Sequence, residues 1–115
     1  TLVRRDGAKM TVPMDGLALA IAAEAEELQS ALYEKARAIH ECKVKEVSTI
    51  EQARAQTEAG VALVPWCGEV ECGHQLEDQV GANMLGEPQY QSFSEAACAV
   101  CGRKSAGRTY MARQY

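Results

Sequence analysis

Two close pairs of cysteines restrict this chain more than anything else in it: Cys67 and Cys72 with four residues between them, and Cys98 and Cys101 with two. A 25-residue stretch separates the pairs. Such pairs, brought together by the intervening chain, place four thiolates at the corners of a tetrahedron. That is the geometry Zn²⁺ accepts in a closed structural site. Gly68, Gly73 and Gly102 each follow a cysteine directly, and glycine turns sharply around a metal without steric penalty. The spacing predicts a zinc site with Cys67, Cys72, Cys98 and Cys101 as ligands. Four thiolates leave the ion no open position, so the site would be structural, not catalytic. Two other readings use the same residues. Disulfides suit oxidising compartments, yet no apolar segment follows a basic start, and a fifth cysteine, Cys42, is left over. A redox Cys-x-x-Cys at 98–101 leaves the first pair unexplained.

The chain has 115 residues, enough for one small domain with a modest core that a metal would reinforce. A net charge of −4 argues against a dedicated nucleic-acid module. The charge is uneven. Residues 102–115 carry Arg103, Lys104, Arg108 and Arg113 and no acid, while the middle is mostly acidic. That basic tail either meets nucleic-acid phosphates or pairs with the acidic helices. No apolar run approaches the ~20 residues of a membrane span. The first residue is Thr, inside a β-prone stretch, which suggests a piece of a longer protein.

Asp6-Gly7 between β-prone stretches predicts a strand or hairpin over residues 1–14. Asp15 is a good N-cap for a helix from about 16 to 41. Its apolar stripe Leu17, Ile21, Leu28, Leu32 and Ile39 is spaced 4, 7, 4 and 7, which points to core packing against a sheet. Ser48 and Glu51 form a capping-box pattern for a second helix, ended at Gly60. The apolar run Val61–Trp66 reads as a buried strand that delivers Cys67. A short helix over 73–80 stops at Gly81. Strands at 82–85 and 107–115 follow, with a loop at 88–97 between them. The three parts are 1–14, 15–59 (helical) and 60–115 (metal-binding). The fold class is α+β, a two-layer unit with helices on one face of a small mixed sheet and a four-cysteine zinc knuckle pair.

Catalysis at neutral pH wants a nucleophile with a base, or paired carboxylates in an unusual setting, and the sequence offers neither. The glycines make no phosphate loop. His40 suits the C-terminal end of the long helix. His74, two residues past Cys72, is a further donor near the metal, as ligand or as outer partner. Cys42, three residues after Ile39, reads as a buried inert thiol, and Trp66 as a shield over the knuckle.

Several motifs together resemble a known family. They are Val64-Pro65-Trp66-Cys67-Gly68 with Cys72; Leu85-Gly86-x-Pro88; Cys98-x-x-Cys101-Gly102-Arg103 with Ala106; and the ending Tyr110-Met111-Ala112-Arg113-Gln114-Tyr115. The opening Val3-Arg4-Arg5-Asp6 and the Leu28-Gln29-x-x-Leu32-Tyr33-x-x-Ala36 segment fit as well. The whole is similar to the C-terminal zinc-binding domain of prolyl-tRNA synthetase, in its archaeal and eukaryotic form. The resemblance implies part of a class II aminoacyl-tRNA synthetase that joins proline to tRNA(Pro) with ATP and Mg²⁺, as a cytoplasmic homodimer. It implies catalytic and anticodon-binding domains upstream, a structural zinc on Cys67, Cys72, Cys98 and Cys101, and no catalytic residue in this stretch. It further implies that the carboxylate of Tyr115 approaches the parent active site. His74 and residues 92–97 fall where the family varies. Two other classes stay open on the residues alone: a stand-alone zinc-ribbon interaction module, and a small redox or metal-handling protein.

Overall fold

A computed structural model describes residues 1–90 and 95–114. The chain divides into two compact units, Thr1–His40 and Glu41–Tyr115.

The first unit opens with a hairpin of β1 (Leu2–Val3) and β2 (Lys9–Met10), antiparallel with Leu2 opposite Met10. Its turn works as the Asp-Gly pair predicts. Gly7 sits at φ 94° and donates to the Arg4 carbonyl at 3.0 Å, a backbone region where a Cβ is strained. The Asp6 carboxylate accepts from the Ala8 N–H at 3.2 Å and from Arg4, whose Nη1 also reaches Glu24 at 3.2 Å. The Arg4 contact, then the Ala8 N–H, holds the Asp6 carboxyl below its ordinary range.

Helix α1 (Leu17–Lys43) follows. Gly16, not Asp15, is the residue before its first turn: at φ 82° it accepts the first helical bond, from Ala20 N–H at 3.0 Å. The expected core stripe is not a core. α1 buries none of its residues, and Ile21, Leu32 and Ile39 are each about half exposed. Apolar periodicity says that a helix face wants covering, not that this stretch of chain covers it. Cys42, on the same stripe, is likewise exposed and not a buried thiol.

The second unit is the two-layer α+β arrangement. Its sheet has the order β3-β4-β6-β5, with β3 Val44–Glu46, β4 Val61–Trp66, β5 Asn83–Gly86 and β6 Gly107–Ala112. β3 runs parallel to β4, while β6 is antiparallel to both β4 and β5. Helices α2 (Ile50–Gln56) and α3 (Val70–Val80) cover one face. Ala62, Val64 and Met111 from the sheet meet Ala53, Leu76 and Val80 from the helices, all essentially inaccessible to water. Alternation along β6 is clean, with Gly107, Thr109 and Met111 buried and the residues between them half-buried.

Both boundaries of α2 differ from the sequence reading. The cap of α2 is Thr49, whose hydroxyl accepts from Gln52 N–H at 3.2 Å, while the Gln52 side chain accepts from Ser48 N–H at 3.0 Å. The cap is therefore one residue later than the Ser48 and Glu51 pattern, and Gln52 reaches back to the residue before it. Gly60 is no left-handed cap, since α2 ends at Thr57. It is needed for room: a Cβ there would lie 2.2 Å from the Lys43 carbonyl oxygen.

Candidate metal centre

Three elements deliver the four cysteines. β4 ends at Trp66 and hands over Cys67, after which Gly68 turns the chain at φ 90°. The turn leads straight into α3, so Cys72 stands in that helix's first turn, not in the loop before a helix starting at residue 73. α3 closes on Gly81 at φ 72°, as the sequence predicts. Gly73 lies against Trp66 and Met84, where a Cβ would find atoms at 3.4–3.6 Å.

The second pair sits on a tight knuckle. Cys98 N–H donates to the Arg103 carbonyl at 2.7 Å, and Gly102 N–H returns to the Cys98 carbonyl at 3.0 Å, with Gly102 at φ 71°. The knuckle is laced to β4 by Ala99 N–H to the Pro65 carbonyl at 3.1 Å and by Ala106 N–H to the Trp66 carbonyl at 2.8 Å. Pro65 explains how this is possible. Its carbonyl and its missing N–H both face away from β6, toward the side where β3 has already ended at the partner of Leu63. A proline costs no ladder bond there, and the knuckle takes the vacated edge.

The four Sγ atoms lie within 4.8 Å of one another. A tetrahedron with Zn–S of about 2.3 Å has edges of roughly 3.8 Å, so a slight contraction of this cluster makes a closed four-sulfur shell. Cys72 and Cys98 are buried, Cys67 is half-buried and Cys101 is exposed. All five cysteines are free thiols. Burial, then the neighbouring thiols of Cys67 and Cys101, pushes the Cys72 thiol up to about 12. A buried thiolate lacks a compensating charge in this shell, and that is what a divalent ion supplies. Cys101 goes the other way, down to about 6, chiefly through hydrogen bonds from Arg103. The donor set and its charge demand fit a soft, tetrahedral dication.

His74 stays outside the cluster. Its side chain is largely exposed and its Nδ1 lies 3.9 Å from Glu77 Oε2. Trp66 is half-buried and donates from Nε1 to the Glu69 carbonyl at 3.1 Å, packed on the turn between the first two cysteines. Of the tail's cations, Arg108 reaches Glu46 at 3.5 Å and Arg113 reaches Glu58 at 3.4 Å, so these two meet acids of their own unit. Tyr115 lies outside the described residues. Arg103 escaped the sequence reading as a site residue, where it stood as one cation of a basic tail and as one position of the family motif. The signal was its place two residues after a cysteine.

The family profile described as "Prolyl-tRNA synthetase, C-terminal" matches residues 50–115, the stretch that holds α2, the sheet from β4 onward and all four clustered cysteines. The chain belongs to the prolyl-tRNA synthetase C-terminal family. It is 58% identical over 116 residues to a proline–tRNA ligase of Methanothrix thermoacetophila, a match covering 100% of this chain and 24% of that protein. It is 36% identical over 121 residues to one of Thermococcus kodakarensis, covering 99% of this chain and 25% of the relative. The chain thus spans about a quarter of the length of the curated relatives it matches. The same fold occurs in the crystal structure of prolyl-tRNA synthetase from Cryptosporidium parvum complexed with halofuginone and AMPPNP. The TM-score is 0.88 at 24% identity, over 98% of this chain and 25% of that one.

Proposed function

We propose that this member of the prolyl-tRNA synthetase C-terminal family is the metal-stapled structural domain of a proline–tRNA ligase. The observation that carries the reading is the family match spanning a cluster of four cysteines. Cys67, Cys72, Cys98 and Cys101 hold one zinc ion, which fastens the end of β4 and the start of α3 to the knuckle before β6. When bound, the ion supplies charge compensation and a cross-link, and no part of a reaction. The rest of the enzyme provides the catalytic and anticodon-binding domains, binds ATP with Mg²⁺, and charges tRNA(Pro) with proline. A prolyl-tRNA synthetase from Cryptosporidium parvum with the same fold over this stretch is solved with L-proline and AMP. Residues 1–14 continue the upstream anticodon-binding domain, 15–59 form the helical part and 60–115 the metal-binding part. The parent works as a cytoplasmic homodimer. None of the described helices is long and apolar enough to cross a membrane.

We further propose that the carboxylate of Tyr115 approaches the parent active site. What supports this reading is that Met111, four residues earlier, is fully buried in β6, so the chain is anchored as far as that strand. The test uses the full-length protein. It should form prolyl-tRNA and contain one zinc per chain in a four-sulfur shell by X-ray absorption. Removing Tyr115 should lower aminoacylation while zinc content stays at one. Failure to charge tRNA(Pro) refutes the enzyme assignment. Nitrogen or oxygen ligands refute the ligand set, and full activity without Tyr115 reduces the tail to packing.

A further inference from the structure

Cys101 is the weak corner of the four-sulfur cluster. It is the one exposed member, while two of the others are buried and the third is half-buried. A competing chelator, or water, would reach the ion there first. Four thiolates around a dication also leave two uncompensated negative charges, in a chain whose own net charge is −4. Something at that corner has to offset the charge and hold the sulfur in place.

One residue meets this corner in three ways. Arg103 Nε donates to Cys101 Sγ at 3.4 Å. The Arg103 backbone N–H points at the same sulfur. The Arg103 carbonyl accepts from Cys98 N–H at 2.7 Å, so the residue also fixes the spacing of the second cysteine pair. The other described cations of the tail are differently placed: Arg108 and Arg113 face Glu46 and Glu58, and Lys104 joins the knuckle through a backbone bridge to Ala97.

Taking the zinc reading above as its basis, we infer that Arg103 is a positioning residue of the metal centre, clamping the exposed thiolate of Cys101 and slowing loss of the ion through that corner. The backbone donor and acceptor survive any substitution, so a variant isolates the side chain's share. Groups that hold metal ligands in place commonly contribute 10–100-fold in affinity. Arg103 is itself exposed and its charge is screened by salt, which puts the side chain at the low end, at ~10-fold. Lysine keeps the charge but loses the planar Nε donor, so it should recover only part.

The experiment measures zinc transfer from the full-length protein to the chelating dye 4-(2-pyridylazo)resorcinol. Arg103→Ala should release zinc ~10-fold faster than the wild type. Arg103→Lys should fall between them, and Lys104→Ala should match the wild type. Raising the ionic strength should narrow the gap between Arg103→Ala and the wild type, a response that a purely steric role would not give. The sulfur-to-metal charge-transfer band of the cobalt-substituted protein should shift in Arg103→Ala and not in Lys104→Ala. Far-ultraviolet circular dichroism at saturating zinc confirms that each variant is folded. Equal release from wild type and Arg103→Ala overturns the inference alone, as does an equal acceleration in Lys104→Ala. A wild type that takes up no zinc overturns the metal reading and this inference with it.

Discussion

At the scale of the residue, Gly60 and Gly81 show two different reasons for having no side chain. Gly81 closes α3 in the left-handed region with open space around its missing Cβ, so Gly81→Ala costs about 1 kcal/mol in backbone strain. Gly60 has an ordinary backbone but faces the Lys43 carbonyl oxygen at 2.2 Å from where a Cβ would sit. That oxygen already accepts from Gln56 Nε2 at 2.9 Å, and the Lys43 side chain is committed to the Ala59 carbonyl at 3.0 Å. The obstacle is therefore pinned backbone, which yields only by moving β3 away from β4. Gly60→Ala should destabilise by about 2–3 kcal/mol, in the range of overpacked sites, and more than Gly81→Ala in urea unfolding. The reverse order would mean that the β3–α2 junction is looser than its hydrogen bonds indicate. Nothing in the sequence separates these glycines, because close approach depends on a carbonyl seventeen positions away.

At the scale of the element, adjacent residues with the same capability hide the boundary. Ser48 and Thr49 both cap helices, and Glu51 and Gln52 both reach back, so the sequence supports two registers one residue apart. Tertiary structure selects the later one, since β3 is still leaving the sheet at Val47, whose N–H bonds the Leu63 carbonyl at 3.1 Å. Thr49→Ala should therefore cost about 1 kcal/mol, and Ser48→Ala only a few tenths, as judged by thermal melting. Equal losses would restore the earlier register. The strands show the same division between what residues say locally and what they cannot. β4 was legible because six apolar residues sit between Gly60 and Cys67. β3 was not, because three residues of mixed character carry no period and exist as a strand only through their parallel partner. The cysteine cluster was legible from spacing, the role of Arg103 was not, and the stripe on α1 was legible as a pattern but not as a burial.

At the scale of the whole molecule, the two units should respond differently to loss of metal. An unfolded chain has no preformed site, so metal binding adds directly to folding free energy. In the second unit the knuckle brings Ala99 and Val100 against the core. The first unit rests on a hairpin, the Arg4 ion pairs and helix α1. Chelation, or Cys98→Ser, should lower the melting temperature by roughly 10 °C or more. Amide exchange should rise across β4, α3 and β6 well before it rises in α1. An unchanged melting curve would leave the cysteine cluster without a structural task.

The sheet order β3-β4-β6-β5 puts the last strand in sequence into an interior position. While the chain is being synthesised, β5 emerges ahead of its partner, because among the described residues it pairs only with β6, and β4 waits with one side open for the same strand. The sheet therefore cannot zip up in the order in which it is made. A nascent chain shorter than Gly107 holds two unfilled strand edges, with the cysteines of both pairs already translated and free to gather an ion first. Assembly on the ribosome would then run from metal to sheet, and a pause or truncation before β6 would strand a chelated but unzipped intermediate whose open edges invite other chains.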